Sequence, residues 1–142
     1  MIIDCHTHIF PEEVRKKRDS FCEKDEGFSA IYRNLKSKVI GVEELIASMD
    51  EEGIDSSVIC GFSWRQPDLC HLHNQYLLEA ASRYPHRLIV FLSLLFSDPD
   101  GSMSELENGI QGGVIERLRK QLPFYDKFQE HIQDGVAFKD LT

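Results

Sequence analysis

A chain of 142 residues, 42% hydrophobic and 28% charged, is long and apolar enough to fold as one domain around a buried core. Its net charge of −8 argues against nucleic acid as a partner, because phosphate binding needs concentrated Lys and Arg. The longest apolar run, Leu88 to Phe96, is too short to span a bilayer, so a membrane is not expected as a partner either.

The chain opens MIIDCHTHIFPEE. Residues 1–5 read as a short strand and residues 12–18 as a short polar helix, followed by an irregular stretch to about Ile40. The basic run Arg15 to Arg18 is flanked by Glu12, Glu13 and Asp19, the pattern of a solvated helix face. Asp4, His6 and His8 stand where a signal peptide would be basic and then apolar, so a cytoplasmic location is expected. Cys5, Cys22, Cys60 and Cys70 form no CxxC pair and read as reduced thiols. Cys5 and Cys60 fall within strand candidates, as small buried hydrophobes.

A helix is expected over residues 42–52, with Val42, Leu45, Ile46 and Met49 on one face and Gly53 as its stop. Residues 56–62 read as the second strand. A second helix spans 74–84, with Leu77, Leu78 and Ala81 inward and Pro85 beyond its end. The continuous apolar run 88–95 suits a parallel strand covered on both faces. A turn at Asp98 to Gly101 leads to a third helix, with Leu106 and Ile110 on one face, ending near Gly112 and Gly113. This alternation predicts an α/β fold of parallel βα units in a single domain. From residue 113 onward the rhythm fails: helical spacing over 114–122 and 124–132, interrupted by Pro123, and a short strand candidate at 135–138 make a divergent, mostly helical tail.

The first strand carries the chemistry. Side chains two apart on a strand share a face, about 7 Å from each other. Asp4, His6 and His8 are therefore expected on one face, with Cys5, Thr7 and Ile9 on the other. Two imidazoles so placed can converge on one cation. Asp4 can fix the His6 tautomer or brace the strand end. Ligand sites in parallel α/β folds gather at the carboxyl ends of strands, where this pair lies. The alternative is two ordinary histidines on a half-exposed strand.

Other constellations read as structural. Cys70-His71-Leu72-His73 falls at a predicted helix start, where residues two apart diverge by about 200°, so a solvated helix entry with Asn74 near its N-cap is expected. His86 and His131 read as surface residues, and Asp98 and Asp100 as a turn. Trp64 and Arg65 read as a packed indole and a surface ion pair. Inside a barrel the alternative is a place near substrate, with Arg65 holding a carboxylate.

IIDCHTHIF resembles the first-strand signature of the amidohydrolase superfamily, whose members are metal-dependent (β/α)8 TIM-type barrels. LIASMDEEGIDSSVICGF, HNQYLLEAASRYPHRLIVFLSL and DPDGSMSELENGI resemble the first three βα units of its amidohydrolase-2 branch, which contains hydrolases and some nonoxidative decarboxylases. The resemblance covers residues 1–112. It implies that His6 and His8 are ligands of a divalent metal, with zinc expected, in an enzyme that hydrolyses a C–N or C–O bond of a small-molecule substrate. The family's later histidines and its catalytic Asp find no counterpart, so the expectation is an incomplete N-terminal part of the barrel with no assignable catalytic residue. The alternative is a non-catalytic barrel fragment acting as an interaction module, with at most weak metal binding. Uncovered parallel strand edges predict a homo-oligomer under either reading.

Overall fold

The computed structural model describes residues 1–95 and 97–113. Their elements follow in the order β1 (Ile3–Thr7), α1 (Glu12–Lys16), α2 (Arg18–Lys24), α3 (Glu26–Tyr32), α4 (Val42–Glu52), β2 (Ser56–Cys60), α5 (Pro67–Arg83), β3 (Leu88–Phe91) and α6 (Pro99–Gln111). The strands form one parallel sheet in the order β1-β2-β3, the α/β arrangement that the alternating pattern predicts.

Two cores hold it. On one face of the sheet, Val42, Leu45 and Met49 of α4 and Leu77, Ala80 and Ala81 of α5 pack on Ile59, Leu88 and Val90. The α4 boundaries match the pattern because both ends carry stop signals. The Glu44 carboxylate accepts the Gly41 N–H at 2.9 Å at the start, and Gly53 closes the end in the left-handed region at φ 69°. The second core is aromatic. Phe10, Phe21, Phe28, Tyr32, Phe62 and Trp64 pack together just beyond the ends of β1 and β2.

That aromatic core explains the first difference from expectation. The stretch read as irregular up to Ile40 contains α2 and α3. Asp25, 1% exposed, separates them: its carboxylate accepts the N–H of Phe28 at 2.8 Å, capping α3, and the N–H of Arg65 at 2.8 Å. Each helix is only seven residues long and buries two large side chains or fewer per turn, so no sustained period shows in the sequence.

Other boundaries shift as well. β1 starts and ends two residues later than expected, which puts His6 inside it and His8 just past its end. β2 and β3 stop at Cys60 and Phe91, before the apolar runs do. Gly61 follows β2 because a side chain there would collide with the Ser93 backbone nitrogen at 2.6 Å. α5 begins at Pro67, seven residues before the predicted start; proline suits the first turn, where its missing N–H has no helical partner.

α6 lies where the pattern places it, with Asp98 accepting the Gly101 N–H at 3.1 Å. Its apolar face points outward. Glu105 and Gly109 face inward, whereas Leu106 and Ile110 are 41% and 63% exposed. The cause is polar: the Glu105 carboxylate accepts from Asn74 Nδ2 at 2.9 Å and pairs with His71 Nδ1 at 2.5 Å. The elements expected over residues 114–138 lie outside the described residues.

Urea unfolding checks this assignment of faces. Leu77→Ala is expected to cost about 2–5 kcal/mol, the usual range for a buried Leu. Leu106→Ala is expected to cost less than about 1 kcal/mol, as exposed positions do.

Candidate metal centre

The site is built where β1 ends. Asp4 aligns with Ser57 of β2 and Thr7 with Ile59, so three steps on β1 match two on β2 and the strand bulges between them. Asp4 and Thr7 consequently both line a cavity of about 610 Å³ against Leu45 and Met49 of α4. Strict alternation would have put them on opposite faces. Asp4 accepts the backbone N–H of His6 at 3.1 Å, so it braces the strand rather than the His6 ring.

The bulge delivers the two imidazoles to each other. His6 Nε2 and His8 Nε2 lie 3.0 Å apart, with ring planes at 81°. His8 Nδ1 lies 2.8 Å from the Cys60 carbonyl oxygen, which can only accept. Nδ1 therefore carries the proton, and the neutral His8 ring turns its Nε2 lone pair toward His6. Burial lowers the His8 pKa from its ordinary value; the Cys60 carbonyl opposes the shift and the neighbouring His6 adds to it. Two ligand nitrogens at about 2.0–2.1 Å from one ion, at roughly 90–110°, stand about 3 Å apart. The pair fits a divalent cation as two of its ligands. Among the described residues, no group of three or more His, Cys, Asp or Glu is placed to hold a metal.

The nearest thiol is Cys60, whose Sγ lies 3.9 Å from His6 Nδ1, the nitrogen turned away from the pair. Burial raises its pKa, a bond to the Thr7 backbone opposes the shift, and Asp4 adds to it. Cys60 is half-buried and Cys5 is exposed, so neither is the fully buried hydrophobe expected.

His73 is the residue that sequence reasoning misplaced. It sits in the body of α5, 1% exposed, not at a solvated helix entry. Its Nε2 donates to the Ile9 carbonyl at 2.7 Å, while Nδ1 accepts from Phe62 N–H and Trp64 Nε1–H, each at 3.1 Å. Asn74, expected near an N-cap, is fully buried. Its amide donates to the Ser93 carbonyl at 2.8 Å and to Glu105, and its oxygen accepts the Ser93 N–H at 3.1 Å. A signal was present: one turn back from Leu77 and Ala81, the same helical stripe reaches His73 and Asn74.

His71 and His73 diverge as predicted, the first paired with Glu105 at the surface and the second in the core. Trp64 is packed, and Arg65 pairs with Glu26 at 2.7 Å, so neither reaches the His6–His8 pair. His86 is exposed, and His131 lies outside the described residues.

Burial holds the His73 pKa at about 4, against the opposing pull of the Ile9 carbonyl and with a smaller push from His8. The native state therefore takes up this proton only near pH 4, whereas the unfolded chain takes it up near 6.5. Stability due to this group is present above about pH 6.5 and is lost as pH falls toward 4, on the order of 3 kcal/mol in all. Denaturant titrations across that window are expected to show this slope in the wild type and a shallower one in His73→Gln.

No protein-family model matches the chain, and no curated protein matches it. Solved structures do. 5-Carboxyvanillate decarboxylase from Novosphingobium aromaticivorans DSM 12444, complexed with manganese and 4-hydroxy-3-methoxy-5-nitrobenzoic acid, is 20% identical at a TM-score of 0.61; the match covers 78% of this chain and 38% of that one. Dihydroxybenzoic acid decarboxylase from Polaromonas sp. JS666, with bound manganese and the inhibitor 2-nitroresorcinol, is 22% identical at a TM-score of 0.50, covering 78% and 35%. 2,6-Dihydroxybenzoate decarboxylase complexed with 2,6-dihydroxybenzoate is 16% identical at 0.51, covering 78% and 36%. The chain thus spans little more than a third of the length of these proteins. Over the matched part the described residues share the fold of these decarboxylases, a parallel sheet with helical crossovers, as expected of a partial TIM-type barrel.

Proposed function

We propose that this chain supplies the metal-holding N-terminal part of an amidohydrolase-type enzyme, with His6 and His8 as two ligands of one divalent cation. The observation that carries the reading is the 3.0 Å approach of the two Nε2 atoms at the carboxyl end of β1. Imidazole donors suit zinc, and the manganese in two similar decarboxylase structures makes it the second ion to test. When bound, such an ion polarises a substrate oxygen and lowers the pKa of bound water to about 7.

The chain's own residues prepare the donors. The Cys60 carbonyl keeps the His8 proton on Nδ1, and burial keeps His8 neutral, so a cation meets little competition from a proton at neutral pH. Asp4 ties down the His6 backbone. The remaining ligand and the base come from outside the described residues or from a second chain. The reaction proposed is hydrolysis of a C–N or C–O bond in a small molecule, with nonoxidative decarboxylation as the variant, since the similar structures are decarboxylases. A cytoplasmic site suits the four free cysteines, and no helix among the described residues is long and apolar enough to cross a membrane.

One observation favours a second reading, a self-associating module without catalysis. α6 docks through Glu105 and leaves Met103, Leu106 and Ile110 outward, and Phe91 of β3 is exposed as well. A second copy of the chain is the occupant proposed for these apolar residues, since a parallel sheet edge and a ligand set that are incomplete among the described residues are both relieved by one.

Metal titration followed by calorimetry tests the first reading. Zn²⁺ or Mn²⁺ is expected to bind the wild type, and His6→Ala or His8→Ala to weaken binding by at least the roughly 10–100-fold that loss of an outer partner costs. Unchanged affinity when His6→Ala and His8→Ala are combined removes the metal assignment. Sedimentation tests the second: dimers or larger species support it, and a strict monomer at high concentration overturns it.

A further inference from the structure

We propose that His73, remote in sequence from the His6–His8 pair, is a positioning residue that fixes both ends of the hydrogen bond orienting His8. The bond in question runs from His8 Nδ1–H to the Cys60 carbonyl. Its donor end continues directly into Ile9, whose carbonyl accepts from His73 Nε2 at 2.7 Å. Its acceptor end continues through Gly61 into Phe62, whose N–H donates to His73 Nδ1 at 3.1 Å. One imidazole therefore holds the residue after His8 and the second residue after Cys60. The segment after His8 lies past the end of β1 at Thr7, and Phe62 is the first residue beyond the last backbone bond of β2, in which the Gly61 N–H donates to the Phe91 carbonyl at 2.7 Å.

The ring itself has little freedom. It stacks on Phe10 at 5.0 Å between centroids, meets Trp64 edge-on, and receives the Trp64 indole N–H on Nδ1. Two donors on Nδ1 and an acceptor at Nε2 leave one tautomer, with the proton on Nε2. A buried group with every polar atom used is a rigid spacer, and rotating it leaves an unsatisfied carbonyl or N–H in the core. The consequence for the site is a fixed His8 tautomer before any ion arrives. This inference deepens the metal reading and rests on it for its purpose, although the clasp is measurable without metal.

Long-range ¹H–¹⁵N spectra of the imidazoles in the metal-free protein, near neutral pH, report each tautomer. The wild type is expected to carry the proton on Nδ1 in His8 and on Nε2 in His73. His73→Leu, and His73→Asn, whose amide is too short to reach Ile9, are expected to convert His8 to a tautomer mixture and to weaken Co²⁺ binding roughly 10-fold or more. His73→Gln, which offers a donor and an acceptor at imidazole-like reach, is expected to restore much of both. Leu77→Ala, which loosens the core without touching the clasp, is expected to leave the His8 tautomer as in the wild type. An unchanged His8 tautomer in folded His73→Leu or His73→Asn overturns the proposal, as does an equal change in Leu77→Ala. A wild type with the expected tautomers that takes up no Co²⁺ upholds the clasp and removes the metal reading instead.

Discussion

One buried imidazole, His73, joins three segments: the exit of β1, the exit of β2 and the body of α5. A neutral histidine suits this place better than a charged group, which would lose its hydration without a partner. It also does what an apolar side chain cannot, satisfying a carbonyl and an N–H that strand pairing leaves open. The aromatic core closes around it, with Phe10 stacked on its face and Trp64 bonded to its edge. α2 and α3 exist to complete that core, and Asp25 fastens them to the same β2 exit through the Arg65 N–H.

The bulge in β1 is the second constraint. A regular strand holds histidines two apart about 7 Å from each other, with rings side by side. Here β1 is bulged and His8 has left the strand, so the rings meet at their Nε2 atoms. Two such nitrogens brought close in a half-buried setting want a proton or a cation between them. The Cys60 carbonyl occupies the other nitrogen of His8, which leaves a lone pair facing the gap. The donor pair is thus a property of chain geometry at the strand end, where ligands gather in this class of fold.

Much of the scaffold was legible in the sequence because its signals are local. α4 announces itself through Val42, Leu45 and Met49 and stops at Gly53; α6 begins behind a capping Asp98 and Pro99. His6 and His8 stand out by spacing alone. What escaped is decided by contacts between distant residues. Asp4 and Thr7 line one cavity because the bulge between them is set by pairing with β2. α6 turned its apolar stripe outward because Glu105 finds Asn74 and His71 on another helix. His73 looked like a solvated histidine because nothing near it in sequence reveals the Ile9 carbonyl and the Phe62 N–H that claim it.

The central claim is that His6 and His8 hold one cation between their Nε2 atoms, so its position is the most direct test. An anomalous difference map from crystals of the full chain grown with Mn²⁺ measures it. The account predicts one peak about 2.0–2.3 Å from both Nε2 atoms, with His8 Nδ1 still on the Cys60 carbonyl. A peak that touches only one ring, or rings turned apart with the cation bound elsewhere, would contradict it.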